Sequence, residues 1–180
     1  MSKSQSGVYE VVQAAEQLKA VPRLGWIISA RIRNPESVAD HSYAVAVTSM
    51  VIADYYGLDS CRMMKMALLH DLCESITGDM QPGDTTESRK HQIERKALAA
   101  ILSKLPAKVR NSYLEIFDEF NDSKTFEAEL VHQIDKLEMA AQAVVYKKQG
   151  YSSLEQFFDT AESKVTSTKL RPIMRRLRLK

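Results

Sequence analysis

The chain has 180 residues, 44% hydrophobic and 27% charged, enough for one compact domain that needs neither disulfides nor a structural metal to fold. Its net charge of +2 is uneven: KLRPIMRRLRLK (169–180) holds six bases and no acid, leaving −4 on the other 168 residues. The body therefore lacks the basic excess of a nucleic-acid-binding domain. No apolar run approaches the roughly 20 residues of a membrane span, and the N-terminus lacks a signal-peptide profile. Two cysteines, Cys61 and Cys73, make no disulfide scaffold, so a reduced, cytoplasmic protein is expected.

Glycine and proline are sparse. Stretches 36–56, 58–77, 84–105, 107–149 and 151–171 contain neither, and each is long enough for one or two helices. No Asn-Gly or Asp-Gly dipeptide marks a hairpin. The expectation is an all-α helical bundle in one domain spanning 1–180. In chain order, GWIISARIR (25–33) reads as a short strand or irregular backbone. Ser37 with Asp40 resembles a capping pair, and Gly57 would close that helix in a left-handed C′ position. It shows Val38, His41, Val45, Thr48 and Ile52 on adjacent turns. The next helix runs from about 60 until Gly78 stops it, with Met63, Met66, Ala67, His70 and Glu74 three and four apart. A long helix begins near Lys124 and is capped by Gly150; Leu130, Ile134, Leu137, Ala141 and Val144 form its stripe, with Asp135 beside it. The basic C-terminus (169–180) puts Leu170, Ile173, Leu177 and Met174 on one side of a terminal helix or tail. It is expected to pack on the domain with its arginines in solvent.

One cluster carries chemistry. Successive helical residues point roughly 100° apart, so His70 and Asp71 flank one point and Glu74 lies a turn away on that side. An imidazole and two carboxylates suit Mn, Fe, Co, Ni or Zn without choosing among them. Alone, this is also an ordinary pattern for a solvated helix face. His41, among Val38, Ala39, Ala44 and Val45, reads equally as a core histidine, and Asp135 as a boundary carboxylate paired to a lysine. Two His and two Asp from three helices would nonetheless close a metal site with room for water. Cys73 reads as a small buried hydrophobe, His91 as exposed, and Met63, Met64 and Met66 as core.

His41, then His70-Asp71, then Asp135 resembles the HD-domain metal-dependent phosphohydrolases. RxGWxxxxxxRxPESVADH (Arg23 to His41), HDLCESITGDMQPGD (70–84) and EAELVHQIDKLEMAAQA (127–143) narrow this to the HD-domain 5′-deoxynucleotidase branch, over about residues 12–160. The resemblance implies His41, His70, Asp71 and Asp135 as ligands of one divalent metal ion per subunit, with Mg added to the candidates. It implies Glu74 and Asp79 as catalytic carboxylates, Arg23 on the substrate phosphate and Trp26 against the sugar. It also implies a nucleoside 5′-monophosphate substrate and a homodimer. Alternatives are another HD activity (phosphodiester cleavage, triphosphohydrolysis or alarmone hydrolysis) and a non-catalytic nucleotide- or metal-binding module. His132 stands where many relatives carry lysine, and is read as a surface residue or one supporting the site from behind. Hydrolysis of a phosphomonoester needs a group to orient or deprotonate water and an acid for the leaving oxygen. Glu74 is assigned the first task and Asp79 the second.

Overall fold

The structure, a computed structural model, describes residues 3–81 and 83–180. Met1, Ser2 and Pro82, the last inside the 70–84 block, lie outside the described residues. Among the described residues ten helices follow one another: α1 (Lys3–Leu18), α2 (Leu24–Ala30), α3 (Val38–Tyr56), α4 (Ser60–Leu69), α5 (Glu74–Thr77), α6 (Glu87–Ile101), α7 (Ala107–Asp122), α8 (Phe126–Lys148), α9 (Glu155–Lys164) and α10 (Arg171–Arg178). Among the described residues there is no strand, only an isolated antiparallel bridge between Pro22 and Ser37.

Local chemistry sets several ends. Ser37 and Asp40 form a reciprocal capping box on α3, and Gly57 ends that helix at φ 69°. Asp59 caps α4 through the Arg62 N–H, and Thr125 caps α8 through the Ala128 N–H. Twelve of the 23 residues of α8 are buried, so it forms the axis of the bundle, touching α3, α4, α7, α9 and α10. Met63 and Met66 fill the core beneath α4, while Met64 is half-buried. At the C-terminus Leu170 and Met174 are buried against the body, whereas Ile173 stays exposed.

Two sequence expectations are corrected. Residues 25–33 are neither strand nor irregular throughout: α2 is helical, buries Trp26 and Ala30 one turn apart, and ends at Arg31 in the left-handed region (φ 55°). Seven residues are too few to hold a helix unaided. This one borrows an acceptor from afar, for Asp79 Oδ2 takes the Leu24 N–H at 2.6 Å. The helix expected to run from 60 to Gly78 is also interrupted. After Leu69 the ladder tightens to three-residue spacing, with Leu72 N–H on Leu69 O and Glu74 N–H on Asp71 O, before α5 begins. That tight turn carries His70 and Asp71.

Candidate metal centre and active site

α3 supplies His41, the α4–α5 turn His70 and Asp71, α5 Glu74, the following loop Asp79, and α8 Asp135. All six converge. His41 Nε2 lies 3.3 Å from Asp135 Oδ1 and 3.9 Å from Asp71 Oδ2, and Asp71 Oδ2 lies 3.0 Å from His70 Nε2. One ligand atom each from His41, His70 and Asp71 falls within 4.8 Å of the others.

Both rings are held from behind. His70 Nδ1 is 2.7 Å from the Ala67 carbonyl, which only accepts, so Nδ1 carries the proton and Nε2 keeps its lone pair. His41 Nδ1 is 2.6 Å from Glu138 Oε2. Facing inward, His41 Nε2, His70 Nε2, Asp135 Oδ1 and Glu74 Oε2 are buried without a hydrogen-bond partner. Orphaned buried polar atoms are costly unless something satisfies them. Two imidazole nitrogens beside two carboxylates form the mixed donor set that a divalent transition cation satisfies. The residues present fit a metal ion.

Charges in the site reinforce one another. Burial opposes the charge on His41, as does Arg23, but Asp135 and Glu138 prevail and hold its pKa up at about 9. Burial also works against Asp71 and Asp135. For Asp71 its interactions with His70, His41 and Arg23 win, and for Asp135 Lys136, His41 and Arg23 win, so both sit below the usual carboxylate range. Lys136 Nζ is 2.9 Å from Asp135 Oδ2, so the lysine pairing and the convergence with His41 occur together. Glu74 behaves oppositely: burial, then Asp71 and Asp79, pushes it up to about 10. Asp79 is raised by burial, moderated by Arg23 and the Leu24 N–H.

A cavity of about 500 Å³ opens beside this cluster, within the size range of small-ligand sites. Arg23 lines it, with Nη1 3.8 Å from Asp71 Oδ2. Trp26 forms part of the wall but is only 2% exposed, stacked on Phe157 at 4.1 Å. His91 is exposed at the rim, within 3.9 Å of Glu87. His132 does not join the ligand cluster. Its Nε2 is 2.8 Å from the Phe120 carbonyl and its ring stacks on Phe120, whose edge meets His70. Cys73 is fully buried, and burial pushes its thiol up, away from nucleophilic use.

The structure adds residues that the sequence reading passed over. Glu138 sits three positions after Asp135 on the same face of α8, a spacing that offered a local signal. Glu36 lay inside the 23–41 block without a role of its own, while Phe157 and the pair Lys90–Glu94 (3.5 Å) reach the site through tertiary packing and offered none.

Residues 15–178 match the family described as "HD domain". The 5′-deoxynucleotidase HDDC2 of Mus musculus is 36% identical over 166 residues, covering 91% of this chain and 82% of that protein. The Homo sapiens 5′-deoxynucleotidase HDDC2 is 38% identical over 151 residues, covering 82% of this chain and 73% of that protein. A conserved hypothetical protein from Pyrococcus furiosus has the same fold, with a TM-score of 0.78 and 34% identity. It covers 96% of this chain and 99% of that one.

Proposed function

The chain belongs to the HD-domain family, and on that premise we propose that its cavity removes the 5′-phosphate from deoxynucleoside 5′-monophosphates. The products are a nucleoside and inorganic phosphate. The observation that carries this reading is the convergence of three inward-facing, unpartnered buried ligand atoms on one side of a cavity that also holds Arg23, Glu74 and Asp79.

His41, His70, Asp71 and Asp135 hold one divalent cation, chosen from Mn, Co, Zn, Fe, Ni or Mg. When bound, such a cation supplies Lewis acidity, making water more acidic and neutralising charge on phosphate oxygens. Arg23 offers the phosphate a fork of donors, with its side chain already bracketed by Asp71 and Glu36. Glu74 orients the attacking water and takes its proton. Without the cation Glu74 is protonated at neutral pH, so this role requires the positive charge that the ligands are arranged to hold. As the bond from phosphorus to the 5′ oxygen breaks, Asp79 gives its proton to that oxygen; its raised pKa suits a donor. Trp26 closes the cavity on the sugar side.

The subunit acts as one domain, with Leu170 and Met174 anchoring the basic α10 to it. It pairs as a homodimer, a reading supported by Tyr43, Val47, Val51 and Tyr55, exposed four residues apart along α3. Free Cys61 and Cys73 support a cytoplasmic location. No helix among the described residues is long and apolar enough to cross a membrane.

The test is phosphate release from deoxy- and ribonucleoside 5′-monophosphates, 3′-monophosphates and a cyclic dinucleotide, with Mn, Co, Zn or Mg and with chelator. Release from 5′-deoxynucleotides that chelator and the double substitution His70→Ala/Asp71→Ala abolish is the expected result. Metal-loaded protein inert toward the whole panel would overturn the reading.

A further inference from the structure

Two cavity residues on the substrate side depend on one carboxylate. Trp26 Nε1 donates to Glu36 Oε1 at 2.9 Å, and Arg23 Nε lies 4.0 Å from that same oxygen. Glu36 is itself fixed at both ends of its peptide. Its carbonyl accepts the Arg23 N–H at 3.1 Å, and its N–H donates to the Tyr146 hydroxyl of α8 at 2.8 Å. The neighbouring bond from Val38 N–H to Val21 O completes the short antiparallel contact that ties the start of α2 to the start of α3.

The Glu36 side chain is only 8% exposed. A buried carboxylate is expensive unless its hydrogen-bonding capacity is used. Here it accepts from the one indole N–H of the chain and stands opposite the Arg23 guanidinium, whose Nη1 is 3.8 Å from Asp71. Phe157 stacks on the indole at 4.1 Å and Tyr146 meets it edge-on at 5.0 Å, so packing holds the ring plane while Glu36 fixes its rotation.

We propose that Glu36 is the specificity-positioning residue of this site: by holding Trp26 and Arg23 from one oxygen, it sets the separation between the sugar wall and the phosphate-binding cation. The inference rests on the functional reading above. It extends that reading by placing discrimination at the sugar on a residue that never touches substrate.

Glu36→Gln and Glu36→Leu separate the possibilities. Glutamine keeps an acceptor for the indole N–H, whereas leucine removes it at similar volume. A buried side-chain hydrogen bond is worth enough that its loss shifts a selectivity ratio by about tenfold. The expected result is a deoxy-over-ribo ratio of kcat/KM that falls about tenfold in Glu36→Leu and recovers in Glu36→Gln. Emission of Trp26, the single tryptophan, shifts in the leucine variant alone. Metal content and far-ultraviolet circular dichroism confirm that both variants are loaded and folded. An active wild type with no sugar selection, a leucine variant with wild-type selection, or a glutamine variant as impaired as leucine would each overturn the inference. A wild type that releases phosphate from no 5′-monophosphate overturns the functional reading itself, and this inference with it.

Discussion

Glu138 Oε2 lies 2.6 Å from His41 Nδ1, so a buried carboxylate on α8 grips the imidazole of α3 from the side opposite the orphaned Nε2. The two residues stand 97 positions apart in the chain. A carboxylate on the outer nitrogen orients the ring and makes the inner nitrogen a better ligand. Glu138→Ala is expected to weaken metal binding by about 10- to 100-fold, and Glu138→Gln by less, because the amide oxygen still accepts. Chelator competition on folded protein checks this without reference to turnover.

Metal loading should release a proton. The folded-state pKa of His41, about 9, lies above its ordinary 6.5, so the metal-free fold retains that proton at neutral pH. The sign follows: the stability this proton brings is complete below 6.5 and is lost as pH rises through about 9. A cation on Nε2 must displace it, so affinity should rise with pH across the same window. Titration calorimetry at pH 7.5 in two buffers of different ionisation enthalpy measures the release. Equal heats in both buffers would refute it.

Substitutions can divide the contact that Asp79 makes with α2 from the proton transfer proposed for it. Its Oδ2 accepts the Leu24 N–H at 2.6 Å and so caps α2, while its raised pKa suits a proton donor. Asp79→Asn keeps an acceptor oxygen and should stay within about 0.5 kcal/mol of wild type, yet lose phosphate release by about 100-fold or more. Asp79→Ala should add a loss of about 1 kcal/mol, the usual cost of a missing cap. Urea unfolding beside turnover at several pH values distinguishes them. Unchanged turnover in Asp79→Asn at every pH would remove Asp79 from the chemistry.

Gly7 packs α1 against the turn that follows α6 at a distance no side chain tolerates. A Cβ there would lie 2.6 Å from the Lys104 carbonyl carbon and 2.7 Å from the Leu105 nitrogen, both backbone atoms. Gly7→Ala gains about 1 kcal/mol of helix propensity. Overpacking against main chain costs about 1–3 kcal/mol and wins. A melting temperature lower by about 4 °C is expected, read by calorimetry on metal-free protein.

Helix ends were legible where they depend on adjacent residues. Ser37, Asp40 and Gly57 bound α3 as expected, because a capping box and a left-handed terminus are settled within four residues. The stripe of α8 was legible for the same reason: Leu130, Ile134 and Leu137 recur at helical spacing and are buried together. His41, His70, Asp71 and Asp135 stood out as a set through their order and flanking blocks, since composition alone left each an ordinary reading.

The α4–α5 break and the helicity of α2 were not legible. Residues 60–77 hold no glycine or proline to signal an interruption, and the turn at His70-Asp71 shows only in a ladder that tightens in the folded chain. α2 is stabilised by Asp79, 55 positions away, and is joined to α3 through Glu36.

Residue types and their local periodicity thus determined that this protein is helical, where its long helices begin and which side chains were candidates to ligate. Tertiary structure alone decided which lone pairs face inward. Glu36 and Glu138 took their places through partners up to 110 positions distant. Hydrogen bonds act over about 3 Å in space, whatever the separation in sequence. A pattern read along the chain registers capping and periodicity, but the orientation of a buried ring is set by whatever packing brings to its far side.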